Sequence, residues 1–352
     1  MGLLLPALAP TARALPARTL VFPRDHGAHP ELRTEWWYIT GHASAGEGSA
    51  RRAFGFQVTF FRSRVDGTES LRSAFAARQL LFAHAAVTDV AGRRLLHDQR
   101  IAREGFGIAQ ADTRDAALKL GDWSLSRHDP QGAVPERWRA RVQAGDFTFD
   151  LRFDATQPLL LQGRSGLSRK GPEEKQASYY YSQPQLAVQG RLATGGTPLE
   201  VAGRAWLDHE WSEELLHPDA VGWDWIGMNL DDGGALTAFR LRTRDGGTLW
   251  AGGSLRAADG RLRIFDAAEV AFEPGRRWRS PASRADYPVQ WRVRTPAGSF
   301  TVDALLDDQE LDSRGSTGAI YWEGLSELRD ETGRSVGRGY LEMTGYASAL
   351  RL

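Results

Sequence analysis

Trp138-Arg139-Ala140-Arg141-Val142, followed by Gly145-Asp146-Phe147-Thr148-Phe149-Asp150, reappears later in the chain as Trp291-Arg292-Val293-Arg294-Thr295, followed by Gly298-Ser299-Phe300-Thr301-Val302-Asp303. Self-similarity of this kind is the mark of a duplicated structural unit. Two further matches keep the same order. Trp37-Tyr38-Ile39-Thr40-Gly41 and Val58-Thr59-Phe60-Phe61-Arg62 pair with Trp225-Ile226-Gly227-Met228-Asn229 and Leu236-Thr237-Ala238-Phe239-Arg240. Gly203-Arg204-Ala205-Trp206-Leu207-Asp208 pairs with Gly337-Arg338-Gly339-Tyr340-Leu341-Glu342. Stretches such as Phe147 to Phe153 alternate apolar and polar residues, as strands do. Three matches in register predict two copies of one β unit.

Working outward, Phe54-Gly55-Phe56-Gln57-Val58-Thr59-Phe60 also has period two, which turns one face toward a core and the other toward water or a cavity. Turn signals punctuate the chain at Asp66-Gly67, Asp232-Gly233-Gly234, Asp245-Gly246-Gly247 and Asp259-Gly260. The expected fold class is all-β and antiparallel, with few short helices. Leu71 to Thr88 is rich in Ala and Leu, and its second half, from Arg78, reads as a buried strand. The boundary between the units is expected near Ser212 to Asp219, where Glu213-Glu214-Leu215-Leu216 reads as a short helical turn ended by His217-Pro218. Domains at 20–215 and 216–352 follow, and 352 residues have room for two cores. Residues 1–19 hold the apolar run Leu3-Leu4-Leu5-Pro6-Ala7-Leu8-Ala9 and the small residues of Thr11-Ala12-Arg13-Ala14. They read as a weak signal peptide or a disordered tail, and the first reading puts the protein in the periplasm or outside the cell.

Basic and acidic residues number 44 each, so the formal net charge is zero, and no block of like charge could follow a phosphate backbone. Nucleic acid is not an expected partner. No run of about 18 apolar residues is present, so an integral membrane protein is not expected. Cysteine is absent, which removes disulfides, thiolate metal sites and Cys nucleophiles. The chain also lacks the His-Glu-x-x-His zinc helix, the P-loop, the Gly-x-Gly-x-x-Gly turn and the Gly-x-Ser-x-Gly elbow. No cofactor is expected.

Two dense clusters remain. The first is Phe22-Pro23-Arg24-Asp25-His26-Gly27-Ala28-His29-Pro30, leading through Arg33-Thr34-Glu35 into Trp36-Trp37-Tyr38-Ile39-Thr40-Gly41-His42. The second is Trp206-Leu207-Asp208-His209-Glu210-Trp211, followed by Gly222-Trp223-Asp224-Trp225. Together with the Arg78-Gln79-Leu80 strand that carries His84 and Asp89, these stretches resemble the lipocalin-like family of AttH proteins and carotenoid 1,2-hydratases (hydroxyneurosporene synthases). Fungal cyclases that catalyse Diels–Alder reactions are relatives of that family. The resemblance runs from about Leu20 over nearly the whole chain. It implies two tandem lipocalin-like antiparallel β-barrel domains with a ligand site near their junction. In the hydratases a His-x-Trp pair lines the site, and His209 and Trp211 match it. An aromatic residue and an acid on a later strand supply the proton there; the corresponding strand here, Leu236 to Arg242, has no acid.

Protonating an isolated alkene needs a strong donor in a dry cavity, where burial keeps a carboxyl protonated near neutral pH. Asp208, Glu210 and Asp224 are candidate acids, and Asp208, His209 and Glu210 form the candidate catalytic cluster; the same three could equally make a satisfied inter-domain network. Indole faces at Trp211, Trp223 and Trp225 would stabilise a carbocation by roughly 0.5–2 kcal/mol each. The candidate ligand-binding residues are Trp37, Tyr38, Gln57, His84, Tyr180, Trp211, Trp223 and Trp225. Trp36, Trp37 and Tyr38 read either as a barrel plug or as cavity lining. Alternation lets only some of Tyr179, Tyr180 and Tyr181 face the junction. Asp25, His26, His29 and Glu35 read as a hydrogen-bonded loop in preference to a metal site.

Two functions follow. The first is binding of an apolar small molecule, a lipid or isoprenoid, in cell-envelope lipid handling; the AttH resemblance implies ABC-transporter components as partners. The second is a carotenoid 1,2-hydratase-like lyase or cyclase acting on an unsaturated isoprenoid by acid catalysis in the same cavity. A secreted hydrolase ranks third, with no nucleophile motif behind it.

Overall fold

A computed structural model describes residues 14–48, 51–68, 71–73 and 75–350. Of residues 1–19, on which the leader reading rests, residues 1–13 lie outside the described residues. Nearly all regular structure is antiparallel strand, with short 3-10 turns such as Arg24–His26 and Ala267–Glu269. The first unit comprises β1 (Thr34–Ala45), β2 (Arg52–Arg64), β3 (Gln79–Asp89), β4 (Arg94–Arg103), β5 (Ala109–Ala111), β6 (Ala117–Leu120), β7 (Trp123–His128), β8 (Arg137–Gln143), β9 (Thr148–Asp154), β10 (Leu160–Leu161), β11 (Leu167–Arg169), β12 (Ala177–Ala193) and β13 (Leu199–Glu214). The second comprises β14 (Gly222–Leu230), β15 (Ala235–Arg242), β16 (Thr248–Arg256), β17 (Leu262–Phe265), β18 (Ala271–Pro274), β19 (Arg277–Arg279), β20 (Asp286–Pro288), β21 (Gln290–Thr295), β22 (Gly298–Ala304), β23 (Glu310–Ser313), β24 (Ala319–Arg329) and β25 (Ser335–Met343). No helix among the described residues is long and apolar enough to cross a membrane.

The two sheets correspond strand for strand. The first runs β4-β3-β2-β1-β13-β12-β9-β8-β7, extended by β6 and β5, and the second runs β17-β16-β15-β14-β25-β24-β22-β21-β18. All three sequence repeats fall on corresponding strands: β8–β9 with β21–β22, β1–β2 with β14–β15, and β13 with β25. One match is corrected in register. Tyr38 stands opposite Asp208, and Trp225 stands opposite Glu342, so the counterpart of Trp225 is Tyr38 and not Trp37. A shift of one residue exchanges the two faces of a strand.

Even-numbered residues of β2 (Phe54, Phe56, Val58, Phe60) point into the first sheet and meet Leu81, Ala83, Ala85 and Val87 of β3 with Leu125, Trp138 and Ala140 from the far side. Each such aromatic contributes about 2–3 kcal/mol by leaving water. β5 and β6 come round to touch β3 and β4, so the sheet nearly closes into a barrel, filled by these side chains. The second sheet packs its inner face around Met228, Leu236, Tyr287, Trp291, Trp322 and Met343. Packed core thereby fills the inside of the first barrel and covers the inner face of the second sheet.

Glu213-Glu214 does not make the expected helical turn. β13 runs on to Glu214 opposite Ala177, and Arg64 bonds Glu213 at 2.7 Å, so sheet pairing overrides the local preference. Strands β1, β2, β3, β12 and β13 are buried on both faces over much of their length, because the second sheet lies against their outer side. Gly55 permits that approach: a Cβ there would stand 2.7 Å from the Tyr340 hydroxyl and 2.9 Å from Leu325. Polar bonds cross the seam, among them Thr88 to Gln309 at 2.8 Å and the Gln185 backbone N–H to Asn229 Oδ1 at 2.7 Å.

Candidate active site between the two sheets

Strand alternation decides which side chains reach the seam. On β1, Trp37 and Ile39 point into the first barrel, and Trp36 and Tyr38 point out of it. On β13 the inward residues are Leu207, His209 and Trp211, and the outward ones Asp208 and Glu210; on β12, Tyr179 and Tyr181 turn in and Tyr180 turns out. The outer face of the second sheet answers with Trp223, Trp225, Phe239, Leu241, Tyr321, Glu323 and Glu342. Between them lies a cavity of about 330 Å³ with a mainly aromatic and aliphatic wall.

Asp208 is the acid with the most developed surroundings. Its Oδ1 accepts bonds from Ser182 Oγ at 2.6 Å and Trp206 Nε1 at 2.7 Å, and its Oδ2 from the Tyr180 hydroxyl at 2.7 Å. Burial outweighs these three donors and pushes its carboxyl up to about 7. Asp208 therefore carries a proton over much of the neutral range and retains a stabilised carboxylate once that proton leaves. Trp225 Nε1 points at the Tyr180 oxygen from 3.4 Å.

Glu210, on the same face, is a different case. Lys170 Nζ sits 2.9 Å from its Oε1, 4.6 Å from the centre of the Tyr180 ring and 4.4 Å from that of Phe239, and Ser178 also bonds the carboxylate. The ion pair and the two ring faces hold both charges, so Glu210 serves Lys170 and is not a free acid.

Glu323 and Glu342 face each other across β24 and β25. Burial raises both: Glu323, helped by the charge of Glu342, well above the usual carboxylate range, and Glu342, helped by the charges of Asp208 and Glu210 and opposed by a bond from Trp223, to about 7. Glu342 lies deep in the protein and is only partly covered, because its carboxyl borders the cavity. His84 lines the wall too, bonded through Nδ1 to the Tyr321 hydroxyl at 2.9 Å and through Nε2 to Ser316 at 2.8 Å. Burial pulls its imidazole down to about 3, so it is neutral and bridges the sheets instead of donating protons.

Of the candidate residues, Asp208, Glu210, Tyr38, His84, Tyr180, Trp223 and Trp225 reach the cavity. His209, Trp211 and Trp37 do not, because the strand pleat turns them into the first barrel. Gln57 lies behind the wall, 3.5 Å from the Tyr321 hydroxyl. Asp224 points into the second sheet, where Arg240 at 2.7 Å and Arg242 at 3.1 Å neutralise it.

The inward residues of the first cluster build a separate buried network. Glu35 accepts from His29 Nδ1 at 2.7 Å, His209 Nε2 at 2.9 Å, Arg62 Nε at 2.8 Å and the His29 backbone at 2.8 Å. Burial would push Glu35 up, but the bonds from His209 and His29 hold its carboxyl well below the usual range. His29, stacked on Trp211 at 4.1 Å, also bonds Asp25 at 3.0 Å; burial opposes its charge, yet the two carboxylates raise its pKa. His209 is pulled down to about 4 by burial and stacks on Trp37 at 4.6 Å. His26 Nδ1 meets Tyr181 at 2.6 Å, and its backbone carbonyl accepts from Trp37 Nε1. The donor atoms of His29, Glu35 and His209 lie within 4.8 Å of one another, a spacing that could admit an ion. In this structure these atoms bond one another, and the network ties the segment before β1 to the barrel.

Glu323 and Tyr321 escaped sequence reasoning because β24 carries no resembling motif. Glu342 was within reach: the third repeat aligns it with Asp208, and both now face one cavity.

A family model described as AttH-like matches residues 13–346. A solved AttH structure from Nitrosomonas europaea is 46% identical, with a TM-score of 0.87 over 96% of this chain and 100% of that one. Kievitone hydratase of Fusarium solani subsp. phaseoli is 25% identical over 216 residues, which span 59% of this chain and only 58% of the hydratase. The crystal structure of kievitone hydratase from Nectria haematococca gives a TM-score of 0.71 at 14% identity, over 94% of each chain, a likeness of fold alone. With the family pattern running from ahead of β1 to beyond β25, the chain belongs to the AttH-like family.

Proposed function

We propose that this protein is an acid catalyst, a hydro-lyase or cyclase, acting on an unsaturated, largely apolar molecule of isoprenoid type held between the two sheets. The observation that carries this reading is Asp208: a carboxyl enclosed among aromatic side chains, pushed up to about 7 by burial, one hydrogen bond from the Tyr180 hydroxyl on the cavity wall. When Asp208 is protonated, its O–H donates a hydrogen bond to the Tyr180 oxygen, and Tyr180 is free to point its own O–H at the ligand. Tyr180 then gives its proton to an alkene carbon while Asp208 passes a proton to the Tyr180 oxygen. The carboxylate left behind keeps its bonds from Ser182 and Trp206.

The carbocation formed meets the rings of Trp36, Trp223, Trp225 and Phe239, each contributing roughly 0.5–2 kcal/mol. Lys170 does not oppose it, because Glu210 balances that charge. Water adds and yields an alcohol, or a second double bond closes a ring; in either case the released proton returns to Asp208. The relative named a hydratase supports the hydration branch. Cargo binding without chemistry would use the same cavity but gives no role to a buried proton on Asp208.

The test is incubation with a panel of acyclic isoprenoids, carotenoids included, with products read by mass spectrometry. A gain of one water mass marks hydration, and unchanged mass with altered retention marks cyclisation; both vanish in Asp208→Asn. Wild-type protein that converts nothing in the panel refutes the proposal.

A further inference from the structure

Two polar atoms in the cavity wall have no hydrogen-bond partner. The Tyr38 hydroxyl and Glu323 Oε1 are enclosed and unbonded, in side chains only 6% and 2% exposed, and both residues line the cavity. A buried polar group left bare forfeits a hydrogen bond it would have made in water, and folded proteins keep few such groups. These two are neighbours that lean on each other without a well-formed hydrogen bond: burial, then the charge of Glu323 and its contact with the phenol, raise Tyr38, while the same contact eases Glu323. Glu342 stands across from Glu323, and neither meets a basic side chain among the described residues. The three side chains come from different strands, β1, β24 and β25, and from both units, so the polar corner they form belongs to the seam and to no single hairpin.

What a ligand must bring to such a corner is set by its chemistry. A cation would gain from two carboxylates, yet the wall around them is apolar and the pair already carries a proton between them near neutral pH, since like charges directly opposite cannot both be ionised cheaply. An anion would be repelled. A neutral hydroxyl matches: its O–H donates to Glu323, and its oxygen accepts from Tyr38. Trp225, whose ring meets Tyr38 edge-on at 5.5 Å, then continues the apolar wall away from that polar corner.

We infer that Tyr38, Glu323 and Glu342 form a polar subsite that takes the hydroxyl-bearing end of an otherwise apolar, unsaturated ligand. The inference rests on the cavity being the ligand site, as the proposed function holds, but it needs no proton transfer. The substrate class narrows from any isoprenoid to one with an alcohol or phenol group, oriented by that group before the chemistry at Asp208 begins.

The experiment compares farnesol with the hydrocarbon of the same skeleton that lacks the hydroxyl, by quenching of indole fluorescence in full-length protein. Wild type should bind farnesol roughly tenfold more tightly, the worth of about one well-made buried hydrogen bond. In Tyr38→Phe and in Glu323→Gln that preference should fall to threefold or less, while affinity for the hydrocarbon stays at the wild-type value and shows that the cavity is intact. Equal affinity of wild type for the two probes overturns the inference, and so does a preference that survives both substitutions. Absence of turnover would sink acid catalysis and leave this preference standing, whereas turnover without the preference would do the reverse.

Discussion

Replacing Asp208 by Asn should change the way stability depends on pH. The Asp208 carboxyl lies at about 7 in the folded protein, against roughly 3.9 in an unfolded chain. A group raised on folding stabilises the native state most below its unfolded value, and that contribution is lost as pH climbs through the folded value. For Asp208 the window runs from about pH 4 to about pH 7, and linkage gives a loss of roughly 2–3 kcal/mol between pH 5 and pH 8. Asn is nearly isosteric and mimics the protonated acid: its oxygen can accept from Ser182 and Trp206, and its amide can donate to Tyr180. Its own contribution is constant with pH. The measurement is urea denaturation of both proteins across that range, taking the difference between them, so that the titrations of Glu35, His29 and His209 largely cancel. The stability of wild type relative to the Asn variant should decline by about 2–3 kcal/mol from pH 5 to pH 8. A difference that stays flat would mean that Asp208 is already ionised at pH 5, and acid catalysis from this residue would fall with it.

Other expectations follow from the same geometry. Tyr180→Phe should lower kcat by about 100-fold or more while KM moves less than about threefold, since the ring stays and only the proton path is cut; a raised KM at unchanged kcat would make Tyr180 a binding residue. Turnover should fall as pH rises through about 7, tracking loss of the proton from Asp208, and a profile that climbs over that range would contradict an acid role. Glu35→Gln should cost about 3–5 kcal/mol in thermal or urea stability, because Arg62 and His29 lose their shared counter-charge, with affinity for cavity ligands unchanged. His209→Ala should likewise lower the melting temperature without altering ligand affinity, and lost binding at full stability would return His209 to the site.

Much of the architecture was legible because period-two alternation and an internal repeat are both carried by local composition. Phe54, Phe56, Val58 and Phe60 announce an inward face whatever the topology around them. The other face was harder: Gln57, Thr59 and His84 look like solvent-facing or cavity-facing residues, and only the second sheet, brought against them by contacts far apart in sequence, makes them buried. Within Asp208-His209-Glu210 the sequence places three ionisable groups side by side, and the pleat sends the middle one to the opposite side of the sheet. A dense motif in a strand is two half-motifs. The matched Trp37 and Trp225 show the same hazard, since a pairing plausible by identity proved one residue out of phase with the strand register.

The duplication also explains why one of two equivalent carboxyls is the better proton donor. Asp208 and Glu342 occupy the same position on β13 and β25, and Tyr180 and Tyr321 hold matching positions on β12 and β24. Where the first copy has Ser182 opposite the acid, the second has Glu323. That one difference reverses the fate of the conjugate base. Asp208 gives up its proton to leave a carboxylate that three donors stabilise; Glu342 would give up its proton beside another carboxyl in an apolar wall. Tyr321, moreover, is bonded to His84 and is not available to relay a proton from Glu342. A proton donor held in reserve must keep its proton at working pH and leave a conjugate base that its surroundings can stabilise, and the three bonds around Asp208 supply that second condition, whereas Glu342 faces Glu323. In the second copy Glu323, raised well above the usual range beside Glu342, holds a proton, which suits a carboxyl pair that binds a ligand better than one that reacts with it.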